Sequence, residues 1–388
     1  MDNLYLLELI NETRQRGGGI LLNYEDKPSV VVLTVEKYNS LLNGQPHQAE
    51  DSQAAIMSSF GQAAAEARRV LVTGGAGYIG GHLVSELVKR NFEVVVLDNL
   101  STGRRENIDP RAVFVEGDLS DENLLRDLFA QNRFEAVFHM AACLEVEESV
   151  REPEKYLENN AINTQKLLAA MNEAGVKKII FSSTAAVYGG SNEVPIAETS
   201  HLRPNNPYGS SKLLAERLIK YYCENLGFKA VVFRYFNACG FDVQARILPT
   251  HQSHLIFNVM AVVKGERQAL QVFGNDYPTF DGTCIRDYVH VLDIVLPHIS
   301  ALDKLAGDLN FEIINIGTGK GYSVAQIING ASEVLNKIIP MEIAPRRQGD
   351  AAVTVADNSK LKKLLGYELS HSGLPEILAS SWEVLKNY

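Results

Sequence analysis

The stretch Thr73-Gly74-Gly75-Ala76-Gly77-Tyr78-Ile79-Gly80 constrains this chain more than any other, because it falls where a buried strand should become a helix. Arg68-Arg69-Val70-Leu71-Val72 before it is a short apolar run with β-branched residues. After it, Ile79, Leu83, Val84, Leu87 and Val88 recur at helical spacing up to Arg90. Strand, glycine turn and helix therefore follow one another. Gly74, Gly77 and Gly80 let the backbone turn tightly and approach a pyrophosphate, while the helix start at Tyr78 and Ile79 turns its dipole toward the anion. Glu93-Val94-Val95-Val96-Leu97 is a second apolar strand and ends in Asp98, eighteen residues past Gly80. An acid there accepts hydrogen bonds from a ribose 2′-OH, which favours NAD over NADP. A purely structural glycine turn in another α/β domain is the competing reading, and the full context leaves it little room.

From Arg69 onward strands and helices alternate: strand 112–116, helix 121–131, strand 136–141, helix 154–174, strand 178–183, helix 207–225 and strand 229–237. That predicts an α/β fold with a doubly wound parallel, Rossmann-type sheet. The alternation then gives way to shorter elements: helix 254–264, the run Gln271-Val272-Phe273, strand 312–317, and helices 323–337 and 373–387. These read as a smaller substrate-binding α/β portion. The expected division is an extension and linker over 1–66, a dinucleotide domain over 67–237, and a mainly substrate-binding portion over 238–388.

Nothing in a dinucleotide fold requires residues 1–66. A short amphipathic helix is expected over 4–16, broken by Gly17-Gly18-Gly19. Strands 20–24 and 29–34 should flank a Glu25-Asp26-Lys27-Pro28 turn, followed by a helix over 35–42 and a linker over 44–67. The run from Lys27 to Leu33 with Glu36-Lys37-Tyr38 resembles the small prevent-host-death antitoxin family. An extension that binds nothing outranks a working DNA-binding module.

Lys plus Arg total 37 against 47 Asp plus Glu, a net charge of −10. A polyanion is repelled by the molecule as a whole, which argues against a nucleic-acid partner. A small anion is still compatible with arginines focused on its phosphates. Cys143, Cys223, Cys239 and Cys284 lack CxxC spacing and read as buried free thiols of a reducing compartment. No apolar run reaches the roughly 20 residues of a membrane span, and the start lacks a basic signal region. The expectation is a cytoplasmic protein with no membrane contact and no metal.

Tyr208-Gly209-Ser210-Ser211-Lys212 is the second strong signal, since i and i+4 on a helix put the phenol and the ammonium on one face. Asn206 and Pro207 supply an N-cap and a first helical residue. A phenol has a reference pKa near 10, and a neighbouring ammonium together with the positive nicotinamide of NAD favours its ionised form. The strand 178–183 delivers Ser182, Ser183 and Thr184 at its carboxyl end, where ligands bind in such sheets. Thr184 is the hydroxyl expected beside Tyr208.

With these three elements, the chain from about Arg69 to its end resembles the UDP-glucose 4-epimerase family of the extended short-chain dehydrogenase/reductase superfamily. The resemblance also rests on Leu97-Asp98-Asn99-Leu100-Ser101, Glu116-Gly117-Asp118, Glu148-Ser149-Val150, Arg234-Tyr235-Phe236-Asn237, the string 273–279, Asp281-Gly282-Thr283, Arg286-Asp287-Tyr288-Val289-His290 and the string 344–350. It implies Tyr208 as base for the sugar 4-OH, Lys212 as its partner and nicotinamide-ribose ligand, and Thr184 as the proton-relaying hydroxyl. It implies NAD contacts at Asp98, Asn99, Asp118, Leu119, Met140, Ala141, Ala142, Asn160, Ser182 and Phe236. For a UDP-hexose it implies Asn237, His254, Leu255, Gln271, Phe273, Arg286, Arg347 and Asp350, with Arg286 and Arg347 clamping the diphosphate. A hydride shuttle at C4 with no net redox follows, and a homodimer through helices 154–174 and 207–225.

Departures from the family pattern matter too. Leu144 stands where well-known members carry Lys, and the loop between Asn237 and His254 is shorter than in many relatives. Thr354 occupies the sugar-gating position that narrow-specificity members fill with Tyr, so UDP-N-acetylhexosamines should also fit. Ala185 and Ala186 after Thr184 lack the acid pair that a sugar-nucleotide 4,6-dehydratase needs. A 4-epimerase of pentoses or uronic acids stays open, as does a non-catalytic NAD-sensing regulator.

Overall fold

The computed structural model describes residues 20–24, 27–32, 68–190, 193–250, 254–307, 309–347 and 350–388. The chain divides into two compact units, Met1–Glu66 and Ala67–Tyr388. In the first, β1 (Ile20–Tyr24) and β2 (Lys27–Val32) pair antiparallel with Tyr24 opposite Lys27. The second strand thus starts two residues earlier than expected. The helices expected over 4–16 and 35–42 and the linker over 44–67 lie outside the described residues.

The second unit opens with β3 (Arg69–Thr73), α1 (Tyr78–Lys89), β4 (Glu93–Asp98), β5 (Val113–Glu116), α2 (Glu122–Gln131) and β6 (Ala136–His139). The short helices α3 (Val146–Arg151) and α4 (Pro153–Leu157) lead through a π turn, Glu158–Ile162, into α5 (Asn163–Glu173). Then come β7 (Lys178–Thr184), α6 (Pro207–Leu226), β8 (Lys229–Tyr235) and β9 (Asn237–Cys239). The remainder comprises α7 (Leu255–Lys264), β10 (Leu270–Phe273), β11 (Ile285–Arg286), β12 (Tyr288–His290), α8 (Val291–Leu305) and β13 (Phe311–Ile316). It ends with β14 (Tyr322–Ser323), α9 (Val324–Leu335), β15 (Met341–Ala344), β16 (Val353–Thr354), α10 (Ser359–Leu365) and α11 (Leu374–Leu385).

Seven parallel strands form the main sheet in the order β13-β8-β7-β6-β3-β4-β5. Val70, Leu71 and Val72 are wholly buried, as the near-continuous apolar strands of a sheet covered on both faces must be. One face carries α1, α8 and α10; the other carries α2, α5 and α6. The order reverses between β3 and β6, so the crevice at their carboxyl ends is where such a sheet binds a ligand. A third core joins α7, β10, α9 and α11 around Tyr288. Tyr78 packs against both this core and the sheet's, which places the start of α1 where the two meet.

Three expectations change. The helix expected over 154–174 is broken by the π turn, whose extra residue turns Asn160 toward the loop after β6. The strand expected over 229–237 leaves the main sheet after Tyr235: Asn237 N donates to Asp287 O, and β9 pairs with β12 instead. All four cysteines are free, but only Cys239 is fully buried. Among the described residues no helix is long and apolar enough to cross a membrane, and no group of His, Cys, Asp or Glu could hold a metal ion.

Candidate active site

β3 delivers Thr73 to a turn whose glycines are set by contact. Gly74 has φ 71°, and a Cβ on it would stand 2.5 Å from Ala141 N; a Cβ on Gly80 would stand 2.0 Å from Gly74 O. Only glycine fits at either place. A Cβ on Gly77 would meet one atom, Gly74 O at 3.3 Å, so that side of the loop is open. Gly77 caps α1 without a side-chain acceptor, which leaves the first-turn amides at Tyr78 and Ile79 without a capping side chain. This open, amide-lined cradle fits a pyrophosphate. The Tyr78 hydroxyl is committed to Gly240 O, so its backbone is the part that faces the loop.

Asp98, at the end of β4, is buried and accepts from Ala76 N at 3.0 Å through one oxygen and from Leu100 N at 2.9 Å through the other. Burial pushes its carboxyl up while those two bonds pull it down. Asn99 donates to Asp118, which also accepts from Ser120 N at 2.8 Å; Leu119 beside it is buried. Asp98, Asn99, Asp118 and Leu119 thus share the rim formed by the ends of β4 and β5.

Behind the cradle runs a hydrogen-bonded chain that sequence reasoning missed. The Thr164 hydroxyl donates to Asn160 O at 2.7 Å, so it must accept from His139 Nε2 at 2.8 Å. His139 Nδ1 then accepts from the Thr73 hydroxyl at 2.7 Å, and Thr73 Oγ1 accepts from Ala141 N at 3.4 Å. The chain fixes His139 as the Nε2–H tautomer, and burial holds the ring neutral with its pKa lowered to about 3. The signal was a histidine ending an apolar strand, opposite the threonine that precedes the glycine loop. Asn160 continues the network to Cys143 and Ser211. Met140, Ala141 and Ala142 follow β6 in this corner.

On α6, Asn206 Oδ1 accepts from Gly209 N at 2.8 Å, Pro207 takes the first turn, and Gly227 ends the helix at φ 69°. Tyr208 is half-buried and hydrogen-bonded to Thr184. Burial raises its phenol and the Thr184 bond opposes that rise, so the hydroxyl expected from the strand end is in place. Lys212 is 1 % exposed and donates to Ser182 O at 2.7 Å. Burial lowers its pKa to about 7, with the Glu216 charge opposing. Lys212 is not among the groups that shift Tyr208. In the protein alone, Thr184 rather than the ammonium opposes the phenol's rise.

One turn further, Glu216 receives Arg234 Nε at 3.0 Å and a second guanidinium nitrogen at 2.6 Å, and accepts from Ser183 as well. Arg234 also donates to Tyr188 OH at 2.9 Å, whose hydroxyl reaches Asn315 at 2.7 Å. This buried, fully bonded pair locks α6 to the ends of β7 and β8. Ser182 bonds Tyr235, and Phe236 N donates to Ile316 O at 3.0 Å, which closes the crevice on that side.

The expected nucleotide-sugar residues fall on the second portion, apart from Asn237 at its border. His254 caps α7 and Leu255 opens it; Gln271 and Phe273 lie on β10; Asn237 lies on β9. The Arg347 guanidinium sits 4.0 Å above the Phe273 ring. Arg286 donates to Asp350 at 2.7 Å and stands opposite Thr354 in the β11–β16 register. Asp287 anchors this strand: it accepts from Thr318 N, Thr318 Oγ1, Gly319 N and Ala356 N. Arg286 is thus paired with one of its proposed co-ligands, and Arg347 is stacked on another.

Residues 70–317 match the family model described as NAD dependent epimerase/dehydratase family. The chain belongs to that family. A UDP-glucose 4-epimerase of Lacticaseibacillus casei is 41 % identical over 321 residues, which cover 82 % of this chain and 97 % of that one. The crystal structure of the UDP-glucose 4-epimerase from Bifidobacterium longum, in complex with NAD+ and UDP, superposes with a TM-score of 0.75 at 36 % identity, covering 82 % of this epimerase-family chain and 98 % of the other. The UDP-Glc/GlcNAc 4-epimerase of Campylobacter jejuni gives a TM-score of 0.73 at 39 % identity, with 82 % and 99 % covered.

Proposed function

We propose that this chain interconverts UDP-glucose and UDP-galactose as an NAD-dependent 4-epimerase, and that it also accepts UDP-N-acetylhexosamines. The observation that carries the reading is the meeting of Tyr208, Thr184 and Lys212 at the carboxyl end of β7, beside an open glycine cradle that fits a dinucleotide. Bound NAD would supply a hydride acceptor and donor at the sugar C4. The residues of the chain do the rest. With its phenol ionised, Tyr208 takes up the 4-OH proton, which the Thr184 hydroxyl relays to it, and gives it back when the 4-keto sugar is reduced. Lys212 keeps hydrogen-bond donors beyond the one given to Ser182 O and meets the nicotinamide ribose. Asp98 takes the adenosine ribose.

In this reading residues 67–237 bind mainly the cofactor and 238–388 mainly the substrate, although β13 returns from the latter to the main sheet. Asn237, His254, Leu255, Gln271 and Phe273 hold the uridine half. Arg286, Arg347 and Asp350 rearrange around the diphosphate, since Arg286 must trade Asp350 for phosphate oxygens. The hexose is held loosely enough to turn over while UDP stays fixed. Four free cysteines accord with a cytoplasmic protein. The test is incubation of the purified protein with UDP-galactose and no added NAD, watching for UDP-glucose. Absence of product, or an acid quench that releases no NAD, would refute the reading.

A further inference from the structure

Asn107 ends a single 3-10 turn, Arg105–Asn107, between β4 and β5, and is 1 % exposed. Its side-chain amide is filled by partners far away in sequence. Oδ1 accepts from Leu248 N at 2.7 Å, and Nδ2 donates to Leu248 O at 3.0 Å and to Ala76 O at 3.1 Å. Ala76 belongs to the glycine cradle; its carbonyl also accepts Arg104 N at 2.9 Å, and its own N–H goes to Asp98. Leu248 belongs to the short connection that runs from β9 to α7.

The segment is seated by packing as well. Ile247 is 2 % exposed and lies over the first turn of α1, where a Cβ on Gly81 would come within 3.0 Å of Ile247 Cδ1 and 3.1 Å of Asn107 O. Glycine at 81 lets Ile247 and the Asn107 backbone approach the helix. Asp98, Ala76, Asn107 and Leu248 therefore form one bonded series from the ribose end of the cradle to the chain six residues before His254. Leu248 is held at this point, and His254, the cap of α7, follows six residues further on.

We propose that Asn107 is a positioning residue that presets the N-terminus of α7, and with it the UDP half-site, against the cofactor cradle. The inference rests on the reading that His254 and Leu255 meet the nucleotide. Asn107 acts through Leu248, from which the chain runs on to the residues that carry the contacts. The pocket then exists before UDP arrives, which lowers the ordering cost of binding. The chemistry at Tyr208, on the other side of the crevice, does not depend on it.

The experiment uses the full-length protein with its bound NAD and compares wild type with Asn107→Leu. The Leu variant keeps similar bulk and leaves Leu248 N, Leu248 O and Ala76 O without the amide. Expected are a rise of about tenfold or more in the Kd for UDP and in KM for UDP-galactose, with kcat within about threefold and NAD retained. Ile247→Ala loosens the same segment without touching the amide and should raise both constants in the same sense. It carries the test if Asn107→Leu fails to fold. Unchanged UDP affinity in folded, NAD-loaded variants overturns the proposal, as does a loss confined to kcat or to NAD retention. Wild type that binds UDP without turning over UDP-galactose would sink the proposed function and leave the comparison of UDP Kd values to judge Asn107. Wild type that binds no UDP removes both.

Discussion

Asn160 grips Cys143 with both ends of one side-chain amide, its Oδ1 accepting the Cys143 N–H at 2.8 Å and its Nδ2 donating to the Cys143 carbonyl at 3.0 Å. The remaining positions go to Asn159 Nδ2 and Ser211 Oγ, both at 3.0 Å, and the Ser211 hydroxyl in turn donates to Tyr208 O at 2.8 Å. All four hydrogen-bonding positions of the amide are taken by the protein. Asn160 therefore fixes the loop after β6 to the turn that carries Tyr208. Asn160→Asp should be worse than a simple loss, because it sets an acceptor against the Cys143 carbonyl. A drop of about 1–3 kcal/mol in unfolding free energy is expected, together with loss of NAD on gel filtration. A variant with wild-type stability and full NAD content would contradict this.

Tyr208→Phe keeps the ring and removes the hydroxyl bonded to Thr184. Turnover should fall by about 10²-fold or more, with UDP binding unchanged, since in the proposed reaction the lost group handles a proton and not the nucleotide. Thr184→Val should slow turnover less, because the phenol survives. A Phe variant that binds UDP and turns over like wild type would remove Tyr208 from the chemistry.

The glycine cradle and the Tyr208 helix were legible because each is encoded within a few consecutive residues: turn glycines after an apolar strand, and a cap with proline ahead of a helix. The chain through His139 was not. It joins Thr73 to a ring 66 residues on, and that ring to Thr164 after 25 more, so no local pattern carries it. The π turn escaped for the same reason: helical periodicity runs straight through residues 154–174, and the Asn160 bonds to Cys143 that accompany the extra residue reach back 17 positions. The sequence names Arg286 and Asp350 separately, but their bond to each other arises only once the β11 strand and Asp350 are folded together.

Four buried histidines set an acid limit on stability. Burial lowers His82 and His290 to about 4, and His139 and His298 to about 3. The unfolded chain protonates each near 6.5 while the folded one does not, so stability is whole above about pH 6.5 and declines as pH falls toward 3 to 4. At pH 5 each ring should cost roughly 2 kcal/mol. The carboxylates held low by ion pairs, such as Glu86, act only at lower pH. Denaturant titrations at pH 8 and pH 5 check this, and His139→Gln should flatten the difference by one ring's share. Equal stability at the two values would show that these rings are not held neutral.

Leu157 and Ile162, around the π turn, and Leu214 and Tyr221, on α6, are 38 to 57 % exposed. Large apolar side chains clustered on two such helices suit a partner surface, in line with the homodimer proposed from family resemblance. Light scattering at micromolar concentration should give twice the chain mass, and Leu214→Glu with Tyr221→Glu should halve it while NAD stays bound. A monomeric wild type would leave these residues without a partner copy.

Thr354 lies on β16 with its backbone held on both sides: its carbonyl accepts Asp287 N at 3.1 Å, and Val355 O accepts Ile196 N at 2.8 Å. A change of side chain there should leave the strand where it is. Beside it in register is Arg286, so the residue borders the part of the pocket assigned to the diphosphate and sugar. A 2-acetamido group must sweep past this position when the 4-keto sugar turns over, and a half-buried Thr leaves room that a Tyr ring would fill. Native protein should therefore interconvert UDP-N-acetylglucosamine and its galacto epimer as well as the plain hexoses. Thr354→Tyr should lose the first activity and keep the second, because a clash penalises only the larger substrate. Parallel loss of both activities, or no acetamido turnover by the native protein, would place the gate elsewhere.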